Sequence, residues 1–409
     1  MIQCRHCNRE LEHMVLDLGF APPSNNYLSP QHLHTPETYF PLKLFVCDNC
    51  WLVQTEDYYH SEDLFRHDYA YFSSISNMWV SHAKKYSDMI VKDLGLGQAS
   101  FVIEVASNDG YLLKNFVAKR IPCLGIEPTL STASECEKLN IPVIREFFGK
   151  PLAKKLAEEG QYADLIVGNN VYAHVPDIND FTSALKILLK DSGTITLEFP
   201  HLLSLIKNSQ FDTVYHEHFS YLSLFTVNRI FTEAGLRIWN VESLTTHGGS
   251  LRIYGCHADD RRNSNPSVEN ILEKESREGL RDLEIYRNFQ PRATRVKDDL
   301  LAFLISQKRA GKSVAAYGAA AKGNTLLNYA GIKPDLLPYV CDASPSKQGK
   351  FLPGSHIPIL PPSVLKERRP DIVLILPWNI VDEVKVQHKY IRDWGGEFIV
   401  AVPHLKVIQ

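Results

Sequence analysis

The stretch that decides the fold is residues 101–119, FVIEVASNDGYLLKNFVAK, in which an apolar run ends in polar residues and Gly110 and a helix-like segment follows. Further apolar runs of strand length come after it, separated by helix-length segments such as 150–160 and 177–190. These runs are IPCLGIEP (121–128), IPVI (141–144), ADLIVGNN (163–170) and GTITLEF (193–199). Because buried strands alternate with helices, the sequence predicts an α/β fold with a parallel sheet covered on both faces.

Polar residues follow these strands at the edge where open parallel sheets bind their ligands. Residues 104–110 end the first strand, Glu127 ends the second, and 168–174 end a later one. In nucleotide-binding sheets, a glycine turn after the first strand lets the backbone approach the ligand, and an acid ending the second strand binds ribose hydroxyls. The G-x-G-x-x-G fingerprint is absent, which disfavours NAD. The alternative for Glu127 is that it only caps the following helix.

Length and charge exclude several classes of protein. A chain of 409 residues suggests roughly two to four domains. The 44 basic and 47 acidic side chains give a net charge of −3, so we expect no basic face for a nucleic-acid partner. The N-terminus lacks an apolar signal region, and apolar runs such as 371–378 are far shorter than the roughly 20 residues that span a bilayer. We therefore expect a cytoplasmic protein with no membrane partner.

Two C-x-x-C pairs occur in the first fifty residues, Cys4 with Cys7 and Cys47 with Cys50. Four thiolates that arrive as two tight pairs can close a tetrahedron around zinc. The segment between the pairs contains strand-like FPLKLFVC (40–47), which fits a hairpin that returns to the metal. Disulfides are the alternative, but a cytoplasmic setting disfavours them. Because four sulfur ligands leave no position open for substrate, the sequence predicts a structural Zn²⁺.

The last third repeats the strand, glycine loop and helix pattern after a charged, helix-rich connector at about 260–310. The repeat begins at 313–331, and 336–344, 371–379 and 397–403 contain further strands, so we predict a second nucleotide-binding type of fold. Loop 318–325, GAAAKGNT, has the glycine spacing of a P-loop, but Asn324 occupies the lysine position, which disfavours ATP hydrolysis.

The same loop can still hold a diphosphate on its amides and on the helix dipole, with a charge from Lys322. Asn324 and Thr325 are further candidates for substrate binding. The alternative is a purely structural turn, since glycine turns are common without ligands.

Several segments occur in a characteristic order along the chain. They are the two C-x-x-C pairs, YAYFSSIS (69–76), EVASNDGYLL (104–113), NNVYAHVPD (169–177), FDTVYHEHFSYLS (211–223), HGGSLRIY (247–254) and YGAAAKGNTLLNY (317–329). The combination resembles the S-adenosylmethionine-dependent sugar C-methyltransferases that act on nucleotide-linked ketosugars. The resemblance covers nearly the whole chain, and the ordered set is far more specific than any single motif.

The resemblance implies three domains and two cofactors. We expect a small zinc-binding domain at 1–65, a central class I methyltransferase domain of Rossmann-like fold at 66–262, and a C-terminal Rossmann-like α/β domain with its helical connector at 263–409. The cofactors are S-adenosylmethionine and structural Zn²⁺. The expected partner is a small-molecule nucleotide sugar with dTDP as its nucleotide, and a monomer is compatible with the sequence.

The resemblance also implies a set of cofactor-binding residues. They are Glu104, Ala106, Asn108, Gly110, Glu127 and Asn170. Ala106, Asn108 and Gly110 stand where methyltransferases often have three glycines. Ala106 is a departure, since relatives often carry glycine there, and its methyl group could narrow the approach to the cofactor.

Residues 213–223, TVYHEHFSYLS, contain two histidines on either side of a glutamate. The spacing does not match the helical zinc pattern H-E-x-x-H, which leaves an acid/base centre or a polar turn. Histidine can accept a proton near neutral pH, and a neighbouring carboxylate can orient its ring. In the family, the base is the histidine of a Tyr-x-Glu-His pattern. This pattern assigns His218 as the base that removes an α-proton, with Tyr215 and Glu217 in support, and His216 as the alternative base.

Three more residues are candidates by resemblance. Asn170 and His174 follow the strand at 163–169, and in the family they lie near the cofactor and the sugar. Tyr71 is expected to contact the substrate and assist catalysis, with Tyr69 as its alternative. His174 could instead be a helix-start histidine without catalytic duty, and both tyrosines could be core aromatics.

Two other functions compete with sugar C-methylation. One is a zinc-ribbon protein that binds or methylates RNA, which the near-neutral charge and the lack of clustered basic and aromatic stretches disfavour. The other is an NAD-dependent enzyme that modifies nucleotide sugars.

Overall fold

The computed structural model describes residues 2–58 and 72–408, in which three β-sheets are covered by helices. The strands are β1 (His13–Ala21), β2 (Phe40–Val46), β3 (Val53–Thr55), β4 (Val102–Val105), β5 (Cys123–Ile126), β6 (Val143–Ile144), β7 (Ala163–Asn169), β8 (Leu189–Pro200), β9 (Ser220–Tyr221), β10 (Leu236–Leu244), β11 (Ser250–His257), β12 (Val314–Tyr317), β13 (Val340–Cys341), β14 (Ile359–Leu360), β15 (Ile372–Ile375), β16 (Glu397–Val400) and β17 (Lys406–Ile408). The α-helices are α1 (Asn77–Asp93), α2 (Lys114–Ala118), α3 (Leu130–Lys138), α4 (Lys150–Glu158), α5 (Ile178–Leu188), α6 (Leu202–Lys207), α7 (Leu224–Glu233), α8 (Pro266–Arg277), α9 (Leu283–Arg287), α10 (Phe289–Arg309), α11 (Ala321–Tyr329), α12 (Ser363–Arg368) and α13 (Val381–Gln387).

The central sheet has seven strands in the order β10-β11-β8-β7-β4-β5-β6. Strands β6, β5, β4, β7 and β8 are parallel, and β11 and β10 add antiparallel strands at one edge. All four residues of β4 are buried, as expected for a parallel strand covered on both faces. In the sheet, β5 lies on one side of β4 and β7 lies on the other, so the connections after these strands run in opposite directions. Open parallel sheets bind ligands at such a point, which here is the carboxyl end of β4 and β7. The predicted parallel α/β sheet is confirmed.

The C-terminal sheet has six strands in the order β14-β13-β12-β15-β16-β17. All its pairings are parallel except β16 with β17. Strands β12 and β15 are neighbours although α11, β13, β14 and α12 come between them in the chain, so this sheet also has a switch point, at the carboxyl end of β12. The second Rossmann-like fold predicted for the last third of the chain is confirmed.

The N-terminal sheet joins the cysteine-bearing segment to the rest of the chain. Its order is β1-β2-β3-β9, and β3 pairs with β9 through Val53 opposite Tyr221 and Gln54 opposite Ser220. Strand β9 begins two residues after the last histidine of the His-Glu-His motif. The pairing of β3 with β9 therefore anchors the segment after that motif to the N-terminal sheet.

The connector between the larger sheets contains α8, α9 and α10. Helix α10 has 21 residues, and its buried side chains recur every three or four positions, which is the spacing of an amphipathic helix. They are Phe289, Ala293, Val296, Leu300 and Leu304. No helix of the described segments combines the length and the apolar character needed to cross a membrane. The predicted domain boundary at 65/66 lies outside the described residues, and the one at 262/263 falls between β11 and α8.

Candidate active site

Cys4, Cys7, Cys47 and Cys50 come together in the N-terminal part of the structure. Their Sγ atoms all lie within 4.8 Å of one another, with 3.4 Å between those of Cys4 and Cys50 and 3.5 Å between those of Cys7 and Cys47. Both pairs adopt the same turn. In each, the amide after the second cysteine donates to the carbonyl of the first at 2.9 Å, and the residue carrying that amide has a left-handed φ of 60° or 61°.

This donor set fits zinc. A tetrahedral site with Zn–S distances of about 2.3 Å places its sulfurs roughly 3.8 Å apart, close to the separations found here. The eight cysteines, all within the described residues, form no disulfide, so all four thiols are available as ligands. Four thiolates fill the coordination sphere, which makes the metal structural. The predicted four-cysteine zinc site is confirmed.

The predicted cofactor loop follows β4 and takes a left-handed conformation at alternate residues. The φ values are 58° at Ala106, 51° at Asn108 and 77° at Gly110. A Cβ at Gly110 would lie 2.8 Å from the Ile141 side chain and 3.0 Å from the Cys136 sulfur, so both the positive φ and the close packing favour glycine there. The amide of Ala106 donates to the Ile126 carbonyl at 2.8 Å, which holds the loop against the end of β5.

Glu127 both lines this loop and caps a neighbouring turn. Its Oε2 accepts from the Asn108 amide and its Oε1 from the Thr129 amide, each at 2.9 Å. Burial raises the pKa of Glu127. Glu127 therefore bonds both to the cofactor loop and to the turn that begins α3, and its binding of ribose hydroxyls stays a prediction.

Several polar atoms near the ends of β4 and β7 are buried without a hydrogen bond of standard geometry to any described residue. They belong to Glu104 (both carboxylate oxygens), Asp109 (Oδ1), Asn169 (Nδ2) and Asn170 (Oδ1). Burial, with Asp109 and Glu127 close by, holds the pKa of Glu104 well above its ordinary value. Buried polar groups normally have partners, so this cluster fits a cradle completed by a polar ligand such as S-adenosylmethionine.

His218 lies in the loop between α6 and β9 and is held by a backbone carbonyl. Its Nδ1 is 3.0 Å from the Thr213 oxygen, and since a carbonyl only accepts, Nδ1 carries the proton. In the neutral ring Nε2 is then the nitrogen with a free lone pair. Burial, together with His174 and Lys322, keeps the pKa of His218 well below its ordinary value. The ring is therefore neutral near pH 7.

Two predicted partners pack directly against this imidazole. The ring centroids of Tyr215 and His218 are 4.0 Å apart, and those of His174 and His218 are 4.5 Å apart. Burial lowers the pKa of His174 to about 4. Since His174 lies in the short 3₁₀ helix after β7, the loop that carries Asn170 and the loop that carries His218 meet at the carboxyl end of the central sheet.

Glu217 and His216 point to other parts of the molecule. Both carboxylate oxygens of Glu217 accept from the Asn25 side-chain amide at 2.8 Å, which ties the motif to the N-terminal segment. His216 Nε2 lies 3.2 Å from the Pro41 carbonyl. The two histidines thus face different surroundings, and the Thr213 carbonyl orients the ring of His218.

The glycine loop of the C-terminal sheet brings Lys322 towards the same site. Its Nζ donates to Asn379 Oδ1 at 2.9 Å and lies 4.7 Å from the centre of the Trp378 ring. Burial lowers the pKa of Lys322 to about 8, against an opposing effect of the Asp212 carboxylate. Trp378 Nε1 donates to the Asp212 carboxylate at 2.7 Å. Asp212 directly precedes Thr213, whose carbonyl holds His218.

Asn324 and Thr325 are buried and bond to the protein itself. Asn324 Nδ2 donates to the Ser24 carbonyl at 2.6 Å, and Thr325 Oγ1 donates to the Val214 carbonyl at 2.8 Å. These side chains fasten α11 to the N-terminal segment and to the loop that precedes His218.

The predicted Tyr71 and its alternative Tyr69 lie outside the described residues. Just after them, the Ser73 and Ser74 amides donate to the side chains of Asn108 (2.9 Å) and Asp109 (3.0 Å). The chain therefore reaches the cofactor loop at this point.

Sequence reasoning missed Asp342, which repeats the bonding of Glu127 in the C-terminal sheet. Its carboxylate accepts from the Ala319 amide at 2.7 Å and from the Ser344 amide at 2.8 Å. The sequence did contain a signal for Asp342. The C-terminal sheet begins with a strand, a glycine loop and a helix, and an acidic residue directly follows the next strand, as Glu127 does in the central sheet. The contacts of Thr213 and Asn25 had no such signal.

Three protein-family models match successive parts of the chain. A methyltransferase domain matches residues 80–241, a zinc binding domain matches 4–65, and a C-methyltransferase C-terminal domain matches 245–403. With the parallel sheet and the cysteine cluster, these matches define the class: the protein is an S-adenosylmethionine-dependent methyltransferase that also binds zinc.

A full-length relative narrows the class further. The C-methyltransferase NovU of Streptomyces niveus is 33% identical over 406 residues, which span 99% of this chain and 96% of the relative. The chain therefore belongs to the C-methyltransferase family.

Solved methyltransferase structures resemble part of the chain. One from Clostridium acetobutylicum is 11% identical with a TM-score of 0.36, covering 44% of this chain and 92% of that one. One from Anabaena variabilis is 16% identical with a TM-score of 0.35, covering 43% and 84%.

Proposed function

We propose that this enzyme methylates the carbon next to the ketone of a nucleotide-linked sugar, with dTDP as the nucleotide, and that His218 removes the proton from that carbon. The observation that carries the proposal is the state of His218. Its Nδ1–H is engaged by the Thr213 carbonyl, so Nε2 of a neutral ring is the basic atom. The ring lies against His174, on the loop that follows β7, and hence beside the proposed cofactor crevice.

The reaction assigns a task to each group around the ring. Bound S-adenosylmethionine supplies a methyl group made electrophilic by its sulfonium. His218 Nε2 accepts the α-proton, and the electron pair of the broken C–H bond passes to the enolate, whose carbon forms the new C–C bond as the C–S bond breaks. Tyr215 and His174 pack against the His218 ring, so they border the position where the enolate forms, and a polar group beside the developing oxyanion stabilises its charge.

The lowered pKa of His218 suits this role in one respect and limits it in another. It keeps Nε2 unprotonated at neutral pH, so nearly every enzyme molecule is ready to accept a proton. It also makes the imidazole a weaker base, so stabilisation of the enolate must supply part of the driving force.

We infer that residues 1–65, 66–262 and 263–409 act as zinc-binding, cofactor-binding and nucleotide-binding units. The carboxyl end of β12 is the corresponding ligand position of the C-terminal sheet, and the first amides of α11 have no partner within their own helix. Lys322 adds a positive charge for a diphosphate. Asn324 and Thr325 support the substrate by holding this loop in place, since their side chains bond to backbone carbonyls.

The test is to incubate the purified enzyme with methyl-labelled S-adenosylmethionine and a panel of nucleotide ketosugars, then to locate the label by NMR. We expect a new C–C bond next to the ketone. His218→Ala should abolish the transfer and leave cofactor affinity nearly intact, whereas His216→Ala should cost much less. Label on oxygen or nitrogen, or wild-type turnover by His218→Ala, would overturn the proposal.

The nucleotide assignment has its own experiment. Lys322→Glu should raise the KM of the sugar nucleotide more than the KM of S-adenosylmethionine, because the substituted charge repels the diphosphate. Lys333→Glu, which removes a lysine bonded to the Gly354 carbonyl, is the matched control. An unchanged sugar-nucleotide KM in Lys322→Glu would remove Lys322 from the assignment.

A further inference from the structure

The turn between β10 and β11 has an unfavourable backbone conformation at a histidine. His247 has φ 52° and ψ 24°, and Gly248 and Gly249 follow with φ of 85° and 119°. A Cβ at Gly249 would lie 2.5 Å from Ser204 Oγ, so the turn is closely packed as well as left-handed. Side-chain-bearing residues rarely adopt such values, and where they do the conformation often serves a site.

This conformation places the His247 ring against Asn170. His247 Nε2 lies 2.9 Å from Asn170 Nδ2. An amide nitrogen can only donate, so the ring accepts at Nε2 and carries its own proton on Nδ1. Burial, with Lys322 nearby, lowers the pKa of His247 to about 4, which agrees with a neutral accepting ring.

The same contact decides what Asn170 offers to a ligand. With Nδ2 turned to His247, Oδ1 is left buried without a partner among the described residues, as an acceptor. If Nε2 carried the proton instead, the amide would turn over and present a donor. The ring tautomer and the amide orientation therefore determine each other.

Glu198 of β8 bonds both to Asn170 and to the turn that carries His247. Its backbone carbonyl accepts from the Asn170 amide at 2.7 Å, and its side chain accepts from Thr246 Oγ1 at 2.8 Å. The Trp79 ring also packs on His247 in a T-shaped arrangement, with ring centroids 5.2 Å apart. The histidine is thus held on several sides, beside the buried polar cluster at the ends of β4 and β7.

We propose that His247 is a positioning residue that holds the carbonyl oxygen of Asn170 towards the bound ligands, so that this position selects a hydrogen-bond donor. The donor is an N–H or O–H group, carried either by the amino-acid part of the cofactor or by the sugar. The proposal rests on the proposed function only in placing Asn170 beside these ligands, and it does not require a particular sugar.

Ligand affinity is the first test. His247→Phe keeps a ring against Trp79 and removes the acceptor, and we expect it to weaken either S-adenosylhomocysteine binding, measured by calorimetry, or the sugar-nucleotide KM by about tenfold, the effect of one buried hydrogen bond. His247→Gln offers an acceptor again and should restore most of the loss. His257→Phe, at the far end of β11, is the control for damage to the hairpin. Wild-type values for both ligands in a folded His247→Phe protein would overturn the proposal.

The ring tautomer is the second test, and it is independent of the substrate. In protein labelled with ¹⁵N-histidine, we expect His247 Nε2 to be the unprotonated nitrogen, with a resonance that moves in Asn170→Leu. A proton on Nε2, or no change in Asn170→Leu, would overturn the proposal even if sugar methylation were established. If the ketosugar proposal fails while this tautomer is found, the positioning role stands.

Discussion

Acidification tests the electrostatic state of the proposed base. A base is active when unprotonated, so activity falls as the pH drops through its pKa in the free enzyme. Burial and the neighbouring His174 hold the pKa of His218 well below the ordinary 6.5, so kcat/KM should stay on its plateau through that pH. An unperturbed imidazole would be only about one-tenth unprotonated one unit below its pKa. At about pH 5.5 the two cases therefore differ by up to roughly tenfold in activity.

The assay is initial-rate methyl transfer at low sugar-nucleotide concentration and saturating cofactor, from about pH 8 down to about pH 5. Circular dichroism at each pH verifies that the protein remains folded, and the profile is repeated with excess substrate to separate binding from chemistry. We expect the acid limb well below pH 6.5. An acid limb at 6.5 or above, in folded enzyme, would refute the reasoning from burial.

Other substitutions test neighbouring parts of the account. Lys322→Met removes a positive charge that lowers the pKa of His218, the proposed base, so the acid limb of its pH profile should move to higher pH while that of Lys333→Met does not; coincident profiles would contradict the electrostatic link. Cys50→Ser should lose zinc, measured by elemental analysis, and several kcal/mol of folding free energy, whereas Cys256→Ser keeps its zinc; full zinc occupancy in Cys50→Ser would count against a closed site. Ala106→Gly relieves a left-handed alanine (φ 58°), and after the entropy cost of glycine it should stabilise the protein by about 0–1 kcal/mol in denaturant titrations. A loss of stability beyond about 1 kcal/mol would show that the conformation is not strained.

The features that the sequence predicted well are those with a local or periodic signal. The apolar composition of the strand at 101–110 and of the runs that follow it predicted that these segments are buried strands. The central sheet confirms this prediction. The two C-x-x-C pairs carry their chemistry in their spacing, so the zinc site could be found without knowing how the chain between them folds. Ala106 and Asn108 also take the left-handed conformation expected where relatives carry glycine.

The contacts that define the site could not be read in the same way. His218 is oriented by a backbone carbonyl, and no residue type encodes that interaction. Asn25 reaches Glu217 across 192 positions, and Asn170 meets His247 across 77, so both depend on how distant segments pack. The roles of His218, His174 and Lys322 stay predictions.

The central claim is that His218 removes a proton next to a ketone, and deuterium exchange measures that step alone. The enzyme is incubated in D₂O with a nucleotide ketosugar that it methylates and with S-adenosylhomocysteine, which occupies the cofactor site but has no methyl group to give. We predict deuterium at the carbon beside the ketone with wild-type enzyme and with His216→Asn, and none above background with His218→Asn. Exchange at the wild-type rate in His218→Asn would contradict this claim.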